Sequence, residues 1–275
     1  MKSPLKCALV LITLVPGLAG GQTSPEKPVE AAKPGISHPL PFKIGEALTY
    51  ELSFSRFIFS GTIGQLKFSS SKTIDEQKNE VIQLTCEADS KGFFPKLFGV
   101  KVKDRFTSTV TAADFGLVAA HRRLEEGKSK REQRIFIDRE AGRVTYMQRD
   151  LASSSAEAKV KEAPSPAWVQ DILSAIYFMR TQEMKEGGAI LVPISDEGNT
   201  YNVEVKVGPR EEVKVDAGKF TAVQLDAKIF GGKFIRRNGE LLIWVTDDAR
   251  RIPVKARIKV SGFTVYVELK KVPKD

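Results

Sequence analysis

The densest polar cluster in the sequence is Asp247, Asp248, Arg250 and Arg251. Adjacent carboxylates are raw material for acid–base chemistry or a metal site. The neighbouring arginines change that expectation, because a nearby cation holds a carboxylate ionised and lowers its pKa, which unsuits it as a general acid. An Asp at a turn can cap its own backbone, and Pro253 suits the start of an edge strand. The spacing therefore predicts a turn clamped by ion pairs, with Arg250 and Arg251 as candidate anion contacts.

Other chemistry is thinly supplied. The histidines are His38 and His121. One of these with one core cysteine does not make a zinc site of ordinary N/S ligands. A Ser-His-Asp arrangement would have to use His121, and no Gly-x-Ser-x-Gly elbow accompanies it. Gly187-Gly188 and Gly231-Gly232 lack the lysine spacing of a phosphate loop. Cys86 alternates with Ile82, Leu84 and Ala88, the pattern of an apolar strand face, where a thiol behaves as a small hydrophobe. The expectation is a protein with no catalytic set, no metal and no cofactor.

Binding features are more evident. Phe93, Phe94, Leu97 and Phe98 crowd a stretch interrupted by Pro95 and flanked by Lys91, Lys101 and Lys103. Phe57, Ile58 and Phe59 form a second apolar patch. Either could line a greasy pocket or dip into a lipid surface beside cations; either could instead cap one end of a sheet core. Arg122, Arg123, Lys128, Lys130, Arg131 and Arg134 read as a basic hairpin. Of these, Lys128, Lys130 and Arg131 are candidate contacts for an acidic partner, and the alternative is a charged edge that resists aggregation. The net charge of +9, which becomes +7 once Lys2 and Lys6 leave with an N-terminal leader (41 Lys+Arg against 34 Asp+Glu), favours anionic surfaces.

These residues need elements to hold them, and the dominant period is two, the strand signature. Leu48, Tyr50, Leu52 and Phe54 alternate with polar or small residues. So do Tyr201 to Val207, Val223 to Ile229, Val254 to Val260 and Phe263 to Leu269. One face of each run is apolar and the other charged, as in antiparallel sheets with one wet face. Turn residues at Gly127, Asp138 to Gly142, Asp216-Ala217-Gly218 and Ser261-Gly262 separate the runs at hairpin spacing. The fold class is therefore mainly β: antiparallel, as a strongly curled sheet, barrel or sandwich.

One segment breaks the period. Trp168, Ile172, Leu173, Ile176, Tyr177 and Met179 recur at helical spacing, with Asp171 as N-cap and Arg180 suiting the C-terminal dipole. A short helix is expected near 171–181. The stretch from Ser153 to Pro166 before it reads as a loop. The helix joins two β-rich halves, 42–150 and 189–272, in one domain spanning 42–275.

The N-terminus has the parts of a secretory signal peptide: Lys2 and Lys6, an apolar run from Ala8 to Leu18, and small residues at Gly17-Leu18-Ala19 or Ala19-Gly20-Gly21. We assign residues 1–21 to it. The run is shorter than the roughly 20 apolar residues a spanning helix needs, so no transmembrane span is expected. Residues 22–41, with Pro25, Pro28, Pro34, Pro39 and Pro41, read as an extended tether. Export makes nucleic acid an unsuitable partner and points to the periplasm or another exported location.

Four stretches carry a family resemblance. They are Phe42-Lys43-Ile44-Gly45-Glu46-Ala47-Leu48-Thr49-Tyr50, Gln170 to Arg180, the hairpin Val215-Asp216-Ala217-Gly218-Lys219-Phe220, and Leu242-Ile243-Trp244-Val245-Thr246-Asp247-Asp248-Ala249-Arg250-Arg251-Ile252-Pro253-Val254. Together they resemble DUF3108, a family of exported bacterial proteins of unknown function. The resemblance implies an envelope location and no particular chemistry. Ile172 stands where many relatives have proline at the first helical position. Two functions follow as expectations. The first is non-catalytic binding of a lipid-like or amphiphilic ligand in an apolar concavity of the curled sheet. The alternative is an envelope structural or interaction protein docking an acidic partner through basic hairpins.

Overall fold

The computed structural model describes residues 36, 39–56, 59–75, 78–92, 99–153, 157–232, 234–235, 238–260 and 262–271, with the backbone alone at 56 and 59. Alternation becomes strands β1 (Ala47–Arg56), β2 (Phe59–Ile74), β3 (Glu80–Ser90), β4 (Lys103–Thr111), β5 (Leu117–Glu126), β6 (Ser129–Asp138) and β7 (Arg143–Asp150). After β8 (Lys159–Pro164) comes the helix α1 (Ile172–Thr181). The rest are β9 (Ala189–Asp196), β10 (Asn199–Val215), β11 (Gly218–Ala227), β12 (Gly239–Thr246), β13 (Pro253–Val260) and β14 (Phe263–Lys271).

All the strands join one 14-stranded antiparallel sheet, in the order β8-β7-β6-β5-β4-β3-β2-β1-β14-β13-β12-β11-β10-β9. Neighbours in sequence pair as hairpins, and β1 with β14 close the middle of the sheet, Tyr50 opposite Leu269. The outer strands β8 and β9 share no ladder, so the sheet curls without closing. The apolar side chains picked out by their period face inward: Leu48, Tyr50, Leu52, Phe54, Val203, Val205, Val207, Leu225, Val254, Ile258, Val265 and Leu269 are all buried in one core. Cys86 is buried among them, and burial pushes its thiol pKa well up.

One expectation needs correction. The stretch expected as a loop contains β8, which pairs with β7 from Gln148–Lys159 to Arg143–Pro164. Every side chain of β8 is at least partly exposed, so no buried face imprinted an alternation. The hollow of the curl is occupied. α1 packs against β3, β4 and β9, with Leu173, Tyr177, Phe178 and Met179 buried. Trp168 stacks edge-on to Phe178 and Phe42 to Tyr177. A short helix buried on nearly all sides is a core element.

Candidate functional site

Inside the curl, the gap between the outer strands is sealed by polar groups. On β5, Ala120, Arg122 and Leu124 face inward, so Arg122 is buried instead of joining a basic hairpin, which corrects the expectation for that residue. Its Nη1 donates to Asp196 Oδ1 at 2.6 Å. Asp196 continues the inward row of Val192 and Ile194 on β9. Burial pulls the Arg122 pKa down, but the Asp196 and Asp171 carboxylates raise it by more. Asp171 caps α1, accepting from Ser174 N at 2.9 Å, and both of its carboxylate oxygens lie 2.8 Å from the Ser108 hydroxyl on β4.

Backbone bonds complete the seal. Leu117 N donates to Val169 O at 3.0 Å, Gln170 N to Pro193 O at 2.9 Å, and Ser195 N to Gln170 O at 2.7 Å. The β9–β10 turn, Glu197-Gly198, has φ of 47° and 69°, the type I′ pattern that suits a tight hairpin. A Cβ on Gly198 would come within 3.1 Å of Tyr146 and Lys161, so the turn seats directly on β7 and β8. Burial raises the Glu197 pKa to about 7, with Asp196 adding to the effect. Burial likewise takes Asp104 to about 7. Arg122 holds Asp196 and Ser108 holds Asp171, while Arg122 Nη2, Asp104 Oδ2, Gln170 Oε1 and Ser195 Oγ are buried without a hydrogen-bond partner among the described residues.

A second buried arginine gathers the resemblance motifs. Arg180, from the end of α1, makes a two-pronged bond to Glu46, with Nη2 3.0 Å from Oε2. It donates to Arg250 O at 2.9 Å through Nη2, and its guanidinium lies 5.1 Å from the Phe42 ring centre. Arg251 Nη1 returns a bond to Arg180 O at 2.9 Å. Residues from the opening, helical and Trp-x-Thr-Asp-Asp stretches thus meet at one knot.

The expected turn over 247–252 is there. Asp248 Oδ1 accepts from Thr246 Oγ1 at 2.8 Å and Arg250 N at 3.0 Å, and Oδ2 pairs with Arg250 Nη2 at 2.8 Å. Partial burial works to raise the Asp248 pKa, but the bonds from Arg250 and Thr246 outweigh it and hold the carboxylate low. A depression of about 340 Å³ beside the turn is lined by Lys185, Glu186, Arg210, Asp247 and Arg251. Within it Arg210 pairs with Asp247 at 2.8 Å and Glu186 at 3.7 Å. Arg250 pairs with Asp248 while half exposed, and Arg251 lines the depression with its Nη1 committed to Arg180 O.

The outer face of β3 to β6 is different. Thr109, Ala119 and Phe136 lie opposite one another across β4, β5 and β6, and the next row is Thr107, His121 and Arg134. Short side chains flanked by Gln83, Arg105, His121, Arg134 and Phe136 leave an open trough of about 400 Å³. Phe136, at 46% exposure, is a large apolar side chain held out into solvent. Beyond the trough come Arg105, Arg123 and Glu132, then Glu125 and Lys130 with Lys103, and finally Lys101 and Lys128. Glu132 is paired by Arg134 at 3.0 Å and His121 at 2.9 Å; the Arg134 bond most strongly holds its carboxyl pKa down.

Of the residues expected to bind, Lys128 and Lys130 are exposed at the far end of this stripe. Arg131 points to the inner side and pairs with Glu126 at 2.6 Å. Phe57, Phe93, Phe94, Leu97 and Phe98 lie outside the described residues, as does the Phe59 side chain. The trough residues Thr107, Thr109, Ala119 and Phe136 were missed. Their signal was present as short residues in the outward phase of three consecutive strands, beside an outward Phe. Among the described residues, no group of three or more His, Cys, Asp or Glu could hold a metal ion, and no helix is long and apolar enough to cross a membrane.

A meandering antiparallel sheet curled round one buried helix defines a barrel-like β architecture, with its polar groups either locked inside or displayed on the outer face. The chain belongs to the DUF3108 family of proteins of unknown function, whose model matches residues 49–269. Its fold resembles the crystal structure of a β-barrel-like protein of domain of unknown function DUF1849 from Brucella abortus, with TM-score 0.54 and 9% identity. That match covers 84% of this chain and 98% of the other. A candidate exported protein with a YmcC-like fold from Bacteroides fragilis matches at TM-score 0.36 and 8% identity, over 86% of this chain and 98% of that one. No functionally curated protein matches the sequence.

Proposed function

We propose that this protein is exported to the cell envelope and there binds an anionic, lipid-like molecule without transforming it. The ligand's apolar part lies in the trough of Thr107, Thr109, Ala119 and Phe136, and its charged group turns toward Arg134 and Arg105, exposed guanidiniums that each give one nitrogen to a carboxylate, Glu132 and Glu87, and meet the ligand with the others. One observation carries this reading: an apolar-floored trough with a half-exposed aromatic ring, set on a face that is otherwise charged. A concavity lined by short and aromatic side chains, with a few charged groups converging at its margin, suits a ligand of this kind. The leader-like N-terminus supports the location. The packed interior supports an outer-face site over an inner one.

The test is displacement of a dansylated fatty acid, together with native mass spectrometry of protein isolated from the periplasm. Wild type should bind the probe and carry an amphiphile. Ala119→Trp, which fills the trough from a solvent-facing position, should lose probe binding at unchanged melting temperature. Equal probe binding by wild type and Ala119→Trp, or no binding by wild type, would overturn the proposal.

A further inference from the structure

The trough is one end of a graded stripe, and the other end has a property of its own. Arginines on this side of the sheet are matched to carboxylates: Arg105 to Glu87 at 3.3 Å, Arg123 to Glu125 at 3.0 Å, Arg134 to Glu132 at 3.0 Å. The lysines at the hairpin end are not. Lys101, Lys103, Lys128 and Lys130 are all exposed, and among the described residues none makes an ion pair.

Their backbone is fixed. Gly127 N donates to Lys101 O at 2.8 Å, Val102 bridges Glu126, and Ser90 N donates to Val102 O at 3.0 Å. The β5–β6 turn is tight, with Gly127 at φ 61° in the first central position, as a type II′ hairpin requires. The β3–β4 connection and the β5–β6 turn are thereby clasped, and four ammonium groups from two separate segments are presented together. All four stand beyond ion-pair reach of the described carboxylates, although Asp89 lies opposite Lys103 and Glu125 opposite Lys130 across the ladders, and cations presented this way on a hydrogen-bonded support complement an extended anionic surface.

We infer that this lysine-bearing end seats the protein on an anionic phospholipid bilayer. The choice of a bilayer over a soluble polyanion rests on the proposed function, because the trough opens on the same face two strand rows away, and a bilayer is where lipid-like ligands reside. Each lysine near such a surface contributes roughly fivefold in affinity, so reversing two should weaken binding on the order of 25-fold or more. Binding should fall steeply with salt, as for any exposed charge.

Co-sedimentation with vesicles of mixed phosphatidylglycerol and phosphatidylcholine tests this, with pure phosphatidylcholine and heparin as comparisons. Wild type should sediment with the anionic vesicles at low salt, stay free at high salt, and ignore pure phosphatidylcholine. Lys128→Glu/Lys130→Glu should lose vesicle binding and keep dansylated fatty-acid binding, while Ala119→Trp does the reverse. Vesicle binding unchanged in the double lysine variant overturns the inference, as does failure of wild type to bind anionic vesicles. Heparin binding that competes fully with vesicles at equal charge concentration overturns the choice of a bilayer. Loss of fatty-acid binding alone strikes the trough and not the lysine surface.

Discussion

At the helix end of the molecule, Arg180 is 1% exposed and gives its guanidinium edges to Glu46 and Arg250 O. At the hairpin end, Lys101, Lys103, Lys128 and Lys130 stand in solvent with no carboxylate partner among the described residues. Both ends are positively charged in sequence, yet only one has its charge committed to the fold. The committed end gathers three of the four stretches that carry the family resemblance, so much of the family signature records how the sheet is pinned to its helix. On the proposed function, what the protein recognises lies elsewhere, in surface residues with no packing duty.

The contrast predicts a large effect at one end and a small one at the other. Arg180→Ala strands a buried Glu46 carboxylate, which should destabilise by about 3–5 kcal/mol in urea unfolding. A loss below about 1 kcal/mol would mean the knot is not structural. Asp171→Ala removes the cap of α1 and the acceptor for Ser108, and should destabilise by about 2 kcal/mol. The lysine reversals that abolish vesicle binding should shift stability by no more than about 0.5 kcal/mol.

Between these extremes lies the polar seal near Asp196. The folded-state pKa values of Glu197 and Asp104 are raised to about 7 from 4.5 and 3.8. A raised carboxyl pKa means that the folded state holds the proton more tightly. Its stabilising contribution is therefore full below the unfolded values and is lost as pH climbs through about 7. Urea midpoints compared between wild type and Glu197→Gln/Asp104→Asn should diverge across pH 5 to 8, the variant losing less on going up. Parallel curves would show that neither group titrates in that window.

How much of this was legible in sequence depends on how local each feature is. The strands through Tyr50, Val205, Leu225, Ile258 and Leu269 were readable because a buried face enforces a period of two. α1 was readable from Asp171 and its apolar spacing, and the turn over 247–252 from its Asp and Arg chemistry. β8 was not, since neither of its faces is buried. The pair of Arg122 with Asp196 was not either: the partners lie 74 positions apart, and each looks like a surface charge until its phase with Ala120 and Leu124, or with Val192 and Ile194, is noticed. The trough was hidden because it consists of what is missing, side-chain bulk at positions 107, 109 and 119.

The pairing of β1 with β14 has a kinetic consequence. Every other ladder in the sheet joins neighbours in the chain, but this one must bring Tyr50 to Leu269. Closing so long a loop is entropically late, and folds rich in such contacts assemble slowly. Hairpins from β1 to β8 and from β9 to β14 can zip independently while the β1–β14 ladder waits. A half-assembled chain therefore exposes two unsatisfied strand edges at what will become the midline of the sheet, the surface on which self-association during refolding is expected to begin.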